Sequence, residues 1–371
     1  MKIAVRCVMV CAVTTLLAHG AFSLPRFHSR TGAKCQSCHV NPSGGGMRQV
    51  FGVTYGRDEL PVPTWSEDLA LDDFSTELSG FVSVGADFRT LFFVQDAPAP
   101  AKSLNSFWQM QGDVYMQFKI AKKVSLYLDK GLYKGFEIFG LVNILPANGF
   151  VKIGKFVPNY GMKLDDHRTW IRTVTGFSPE SGRPELTGGE IGFSPGAFTI
   201  TGGVFNSSDG APDPYGGAGL DKGLLGRIDG IFALSEDVHL GLSANIFRRE
   251  LSPGRVNTLL GGVGSISYGN LTVLGEVDRI QNKDSSGTRP DGVVVYIEGN
   301  YVLTPGVDLK LAYEFYDSDV DLQSGAVSRY TVGAEFFPIS GIEVRPLYRI
   351  NVEKPTDTKN NEFDLVFHIY L

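Results

Sequence analysis

The sequence predicts an all-β chain that closes into a transmembrane barrel of about sixteen antiparallel strands, behind a small N-terminal segment with a cofactor-attachment motif. Three observations predict it. Apolar and polar residues alternate with period two from Thr76 to the C-terminus, short links alternate with longer ones along that stretch, and no helical period follows residue 60. Composition agrees: of 371 residues, 43% are hydrophobic, 20% are charged and 45 are glycine. That is too polar for a bundle of spanning helices, each of which needs about 20 apolar residues. Aromatic residues at 11% and the lack of a G-X-Y period argue against disorder and collagen.

At the N-terminus, Lys2 and Arg6 precede the apolar run Val8 to Ala18, and Ala21-Phe22-Ser23 offers small residues before a cut. Residues 1–23 therefore read as a cleaved secretory signal peptide, with the mature chain starting near Leu24. The run is short for an anchor helix and is followed by Pro25. Cleavage removes Cys7 and Cys11, so Cys35 and Cys38 are the mature cysteines and a disulfide-stapled fold is excluded. It also takes the 34 cationic residues to 32 against 40 acidic ones, a formal charge of −8. With no Lys/Arg-rich block, nucleic acid and anionic membrane surfaces are not expected partners.

Residues 24–75 form the expected cofactor segment and linker. Cys35-Gln36-Ser37-Cys38-His39 is the C-x-x-C-H pattern of covalent haem c attachment. Two thiols at this spacing can add to the two vinyl groups of one haem, and His39 then supplies an imidazole to the iron. Export supplies the compartment for that chemistry. Zinc is a weaker reading, because Cys38 and His39 are adjacent and only His28 and Cys35 lie nearby. A thioredoxin-like redox pair would need a βαβ context, whereas these flanks are rich in Gly and Pro. For the second axial position the sequence offers Met47, reached through the flexible Asn41-Pro42-Ser43-Gly44-Gly45-Gly46, with His28 as the local alternative. His239 and His368, on lumen-facing strand positions near the periplasmic rim, are further candidates, and Met47 has the alternative role of packing against the haem edge.

Residues 76–371 are the expected barrel. In the first strand Leu78, Gly80, Val82, Val84, Ala86 and Phe88 share one face, opposite Glu77, Ser79, Ser83, Asp87 and Arg89. The second sets Trp108, Met110, Val114, Met116, Phe118 and Ile120 against Gln109, Gln111, Asp113, Tyr115, Gln117 and Lys119, with the apolar set towards lipid. Further along, Val307, Leu309, Leu311, Tyr313 and Phe315 oppose Asp308, Lys310, Glu314 and Tyr316, and Phe363, Leu365, Phe367, Ile369 and Leu371 end the chain as an outward-facing row. Short turns fall at 121–123, 146–148, 194–196, 235–237, 268–270, 304–306 and 339–341. Longer loops centre on 94–105, 130–134, 158–185, 207–221, 249–255, 282–290, 318–327 and 353–361. Seven short turns and eight loops join sixteen strands with both ends periplasmic, the outer-membrane arrangement.

The loop 158–185 is long enough to enter the lumen. Its Asp165, Asp166 and His167 read either as a metal-binding set, Fe²⁺ included, or as part of a charged solvated loop. Asp317, Asp319 and Asp321 form an acidic loop without the glycine and terminal Glu of a calcium hand. Neither a nucleophilic triad nor a phosphate-cradling glycine loop stands out.

Pro25-Arg26-Phe27, Thr31-Gly32, Cys35 to His39, Phe51-Gly52 and Tyr55-Gly56-Arg57 together resemble the haem segment of the outer-membrane monohaem cytochrome–porin fusions. Val151 to Pro158 with Tyr160-Gly161 is similar to a strand of phosphate-selective-type porins. The resemblance implies one haem c at a porin-like barrel, an electron-transfer role between an extracellular partner such as Fe(II) or a mineral and a periplasmic c-type cytochrome or other carrier, and an Fe(II)-oxidising activity. The competing expectation is a solute porin whose haem segment is a plug or redox sensor.

Overall fold

In the computed structural model, the structure describes residues 25–67 and 75–371, apart from 99, 133–134, 179–183, 208–220, 284–285 and 288–289. The expected signal peptide lies outside the described residues. The strands are β1 Val82–Gln95, β2 Leu104–Ala121, β3 Val124–Gly131, β4 Phe136–Leu145, β5 Gly149–Phe156, β6 Leu186–Phe193, β7 Phe198–Phe205 and β8 Gly223–Ala233. They continue as β9 Val238–Ser252, β10 Arg255–Tyr268, β11 Leu271–Lys283, β12 Asp291–Thr304, β13 Val307–Asp317, β14 Val327–Phe336, β15 Ile342–Glu353 and β16 Glu362–Tyr370. Each pairs antiparallel with its sequence neighbours, and β1 pairs with β16, so the sheet closes without an edge. Closure is what lets a sheet cross hydrocarbon, because every ladder N–H and C=O is then satisfied.

Side-chain alternation sets the inside and outside. On β13 Leu309 and Leu311 point out, the latter 63% exposed, while Asp308, Lys310 and Glu314 are buried inside. Ile297, Val277 and Leu365 continue the outer apolar surface around the wall. An apolar exterior around a charged interior inverts a soluble protein and matches lipid as the outer solvent. All seven predicted short turns join strands as expected, and they share one rim.

Three local departures have physical causes. Between residues 76 and 81 the chain turns back on itself, with the Val84 N–H donating to the Thr76 carbonyl, so β1 begins at Val82 and not with the alternation. On β2 the register against β1 slips at Met110: Gln111 faces Arg89 while Gln109 faces Thr90. The extra residue in this bulge reverses the parity of what precedes it. Met110 and Trp108, expected to face lipid, instead pack with Leu91, Phe93 and Val366. Finally, the loop expected at 249–255 is a tight hairpin. Strand pairing continues to Ser252 and resumes at Arg255, with Pro253-Gly254 making the turn at a Gly254 φ of 76°.

Among the described residues, two segments occupy the lumen. The first contains α1 (Pro25–Thr31), α2 (Cys35–Cys38), α3 (Val50–Thr54, continued by a wider turn Tyr55–Glu59) and α4 (Pro63–Glu67). It leaves over the short-turn rim, where the Val62 N–H donates to the Phe337 carbonyl and Trp65 meets Phe336 edge-on at 5.6 Å. The second is the β5–β6 connection with its single turn α5 (Trp170–Thr173). Its Tyr160, Met162, Ile171 and Phe177 form one buried cluster with lumen-facing Phe139, Phe156, Phe205, Leu225, Phe247 and Leu259. Much of the barrel interior is thus a packed core.

Candidate functional site

Cys35 to Cys38 forms a single helical turn, a spacing that brings i and i+3 side chains to one face. The His39 N–H closes the turn on the Cys35 carbonyl at 3.0 Å. The His39 ring is buried, and its Nδ1 lies 3.3 Å from the Gly46 carbonyl. Donation from Nδ1 to a backbone carbonyl selects the tautomer with its lone pair on Nε2, the usual arrangement around a metal-binding histidine. Burial, with Arg48 nearby, lowers the His39 pKa to about 3, so the imidazole is in its ligand form. Burial likewise raises the Cys35 thiol.

The barrel wall holds the loop after the motif. Lys152 Nζ donates to Ser43 Oγ at 2.9 Å and to Asn41 Oδ1 at 3.1 Å, and it pairs with Glu190 at 2.7 Å. Lys163, from the infolded loop, donates to the Gly44 carbonyl at 3.0 Å, and the Met47 N–H donates to Tyr127 Oη at 3.1 Å. Further back, Arg26 pairs with Glu335, Arg30 with Asp308 at 2.7 Å, and Lys34 donates to the Gly196 and Phe198 carbonyls. Contacts to the wall therefore come from both sides of the motif. Gly46, one of the three glycines predicted to give Met47 freedom, serves close approach as well, as does Gly52 beyond it. A Cβ on Gly46, at φ +63°, would sit 2.2 Å from Tyr127 Oη, and one on Gly52 would sit 2.5 Å from the Cys38 carbonyl.

Two cavities flank the motif. One, the larger, is bordered by Cys38, His39, Arg48, Asp87, Tyr115 and His368. The other is bordered by His28, Cys35, His39, Met162, Lys163 and Arg227. Two cysteines on one turn, one bordering each cavity, a tautomer-fixed imidazole bordering both, and the cationic Lys34, Lys163 and Arg227 beside the second fit a covalently bound haem with its two carboxylates. Cys35 and Cys38 would attach it, and His39 would offer an imidazole nitrogen to the iron.

Met47 lies elsewhere. It is 1% exposed, packs in the cluster with Tyr115 and Tyr127, and borders neither cavity. His239 touches Gly32, and both ring nitrogens of His368 meet carboxylates, Asp87 at 2.7 Å and Glu343 at 2.8 Å. Sequence reading missed Lys152, Lys163 and Tyr127. Their one signal was the lumen-facing parity of Lys152 and Tyr127, which says nothing of what they touch.

The infolded loop is neither metal site nor solvated loop. Asp165 pairs with Arg345 at 2.9 Å, Asp166 with Arg349 at 2.8 Å, and Arg168 with Asp364 at 2.8 Å and with Glu362. Burial would raise the Asp166 pKa, but Arg349 and Arg345 outweigh it and hold the carboxyl well below its usual range. His167 Nε2 lies 3.3 Å from Arg89 Nη1, and burial, with that guanidinium nearby, brings its pKa to about 3. Among the described residues no group of three or more His, Cys, Asp or Glu side chains is arranged to hold a metal ion.

The closed sixteen-strand wall, apolar outside and charged inside, defines an outer-membrane β-barrel of porin architecture. Solved structures agree at the level of fold. An anion-selective porin from Comamonas acidovorans matches with a TM-score of 0.56 at 12% identity, over 78% of this chain and 99% of that one. The outer-membrane channel DcaP of Acinetobacter baumannii matches at 0.56 and 10% identity, over 78% and 97%. Outer-membrane-expressed OmpT of Vibrio cholerae matches at 0.55 and 11%, over 80% and 100%. No protein-family model and no curated protein matches the sequence.

Proposed function

We propose that this outer-membrane barrel is an electron-transfer protein, with one haem c on Cys35 and Cys38, ligated by His39 and held inside the wall, exchanging electrons between an extracellular partner and a periplasmic carrier. Fe(II) or a mineral is the extracellular partner proposed, which would make Fe(II) oxidation the activity. The observation that carries the reading is the burial of Cys38 and His39 of the C-x-x-C-H turn within the lumen, with His39 beside a cavity that continues to Gly135, Phe136, Pro184 and Glu185 at the long-loop rim. A redox centre at that depth shortens the distance across the membrane on both sides. In this reading the chain's own residues do four things: the cysteines attach, His39 ligates, Lys152 and Lys163 fix the loop, and the apolar cluster excludes water. Met47 closes the side of the segment that faces the wall.

Haem staining after denaturing electrophoresis tests the reading. Wild-type protein should stain and Cys35→Ala/Cys38→Ala should not, with heat-modifiable mobility retained in both; an unstained wild type made in a haem-c-competent host would refute it.

A second reading, a solute-conducting porin with the haem segment as plug or redox sensor, is favoured by one feature. The larger cavity is bordered by residues of both rims, Glu185 at one and Leu60 and Phe337 at the other. It requires substantial single-channel conductance that changes with the state of the N-terminal segment.

A further inference from the structure

The carboxylates bordering the larger cavity fall into two groups. Those at its inner end are compensated: Asp87 has Arg48 at 3.6 Å, and Asp165 and Glu343 have Arg345 at 2.9 and 3.5 Å. Asp113, Asp129, Glu137 and Glu185, towards the long-loop rim, have no ion-pair partner among the described residues. The cations that share the cavity are committed elsewhere. Arg26 pairs with Glu335, Lys163 donates to the Gly44 carbonyl at 3.0 Å, Arg89 to that of Asp165 at 3.1 Å, and Arg172 to those of Tyr160 and Phe177.

Strand register stacks the unpaired group. Asp113 of β2 stands directly opposite Asp87 of β1, and Asp129 of β3 directly opposite Glu137 of β4. Asp129 is also diagonal to Asp113, whose own partner on β3 is Gly131. Residues so opposed are about 5 Å apart at Cβ, and like charges there are destabilising. Glu137 and Glu185 are also deeply buried, at 9% and 5% exposure. The backbone fixes one oxygen of each: the Val157 N–H donates to Glu137 Oε1 at 2.6 Å and the Phe136 N–H to Glu185 Oε1 at 3.3 Å. Both side chains border the cavity, and their second oxygens meet no donor among the described residues. A neutral group makes the same demand. Gln111, bordering the same cavity, gives its amide N–H to Asp113, which leaves its buried Oε1 without a donor. The row also reaches the attachment turn: a Cβ on Gly46 would sit 3.8 Å from Asp129 Oδ2, and the Gly46 carbonyl accepts from His39 Nδ1.

We propose that Asp113, Asp129, Glu137 and Glu185 form a binding site for a divalent metal cation inside the larger cavity, and that Fe(II) approaches the redox centre through it. The second clause rests on the proposed function; the site itself needs no haem. Ionised carboxylates held away from water call for a counter-charge, and a lining of carboxylate and amide oxygens suits a hard divalent cation. Among the described residues no three acidic, His or Cys side chains converge on one point, so the ion keeps its inner waters and the carboxylates meet it through them. The uncompensated charge at the rim concentrates cations and repels anions. In this use Fe(II) is oxidised to Fe(III), and its one electron goes by way of the haem to the periplasmic carrier, which is reduced.

The test uses the full-length, haem-loaded protein in detergent, titrated with Mn²⁺ at neutral pH and low ionic strength while electron paramagnetic resonance reads the free ion. Asp129→Asn and Glu137→Gln are made singly and together, with Asp321→Asn in an exposed loop as the control. Heat-modifiable mobility reports folding, and its thermal midpoint should hold or rise in these variants because an opposed pair of like charges is relieved. Wild type and Asp321→Asn should take up one saturable Mn²⁺, which the double variant binds about 10-fold more weakly or not at all. Stopped-flow reduction of the haem by aqueous Fe(II) should slow by a similar factor, whereas reduction by dithionite, an anion, should not slow. No saturable Mn²⁺ uptake in the wild type, the result if the carboxyls hold protons instead, overturns the site, as does equal uptake in the double variant. Lost Mn²⁺ binding with an unchanged Fe(II) rate overturns its use as the approach. In a wild type without covalent haem the proposed function falls, and the Mn²⁺ titration still decides the site.

Discussion

The two sides of the lumen hold the same infolded loop by different physics. From β3 to β12 the inner wall presents Phe139, Phe156, Phe205, Leu225, Phe247 and Leu259, which close over Tyr160, Met162, Ile171 and Phe177. From β13 through β16 to β1 it presents Asp308, Lys310, Glu314, Glu335, Arg345, Arg349, Asp364 and Asp87, which grip Asp165, Asp166 and Arg168 of the loop and Arg26, Arg30 and Arg48 of the N-terminal segment. Apolar packing is tolerant of small shifts and excludes water over a broad area. Ion pairs between buried partners are directional, so they fix where along the wall each segment sits, and breaking one leaves a charge stranded. The β3–β12 side seals chiefly by apolar packing, with Glu190, Asp278 and Glu276 accepting hydrogen bonds from Asn159, Tyr160 and Met162 of the loop, and the β13–β1 side sets position chiefly by ion pairs.

The comparison is broken most severely on the charged side. Arg349→Met removes the ion-pair partner of the buried Asp166 carboxylate and one of the two partners of Asp364, whose other is Arg168, and should cost about 3–5 kcal/mol. Thermal loss of heat-modifiable mobility would show it as a large drop in midpoint, with raised ion conductance as the loop loosens. On the apolar side, Leu259→Ala should cost about 2–4 kcal/mol through lost burial and a residual cavity. Conductance should change less there than in Arg349→Met, because the register of the loop is kept. A larger conductance increase from Leu259→Ala than from Arg349→Met would reverse the assignment of roles.

Acid offers a gentler probe of the same boundary. His167 has a folded pKa of about 3 against an ordinary 6.5, so the unfolded or released loop binds a proton more readily. Its contribution is fully present above pH 6.5 and is lost progressively as pH falls towards 3. The Asp166 carboxyl, held low by Arg349, loses its contribution only at still lower pH. Conductance should therefore rise between pH 6 and 4 in the wild type, and His167→Gln should flatten that rise. The smallest effect belongs to the exposed pair Arg279–Asp291, outside both contrasted regions. Arg279→Ala should shift the midpoint by an amount near the error of measurement, about 0–1 kcal/mol.

Why some of this was legible in the sequence follows from the same contrast. Lipid demands a period-two pattern with no exceptions on the outer face, so strand number, turns and the parity of β13 and β16 could be read directly. Trp108 and Met110 could not, because a bulge is a backbone event that their side chains do not announce. The C-x-x-C-H motif is local and was found. Its location inside the lumen depends on Lys152, Lys163, Tyr127 and Glu335, 80 to 309 positions along the chain from their partners, and no local pattern encodes such pairings. The partners of Asp165 and Asp166 are hidden for the same reason. Two carboxylates beside a histidine look like a metal set until Arg345 and Arg349 arrive from β15.

In the proposed function electrons, and not solutes, cross by way of the C-x-x-C-H turn inside the lumen. Proteoliposomes carrying the full-length protein, with a cytochrome c enclosed and an iron couple outside, measure electron exchange and ion leakage on the same vesicles. Wild-type protein should equilibrate the enclosed cytochrome with the external couple, and His39→Ala should abolish that exchange with ion leakage unchanged. Equal exchange in both proteins, or exchange that rises and falls with leakage, would contradict the account.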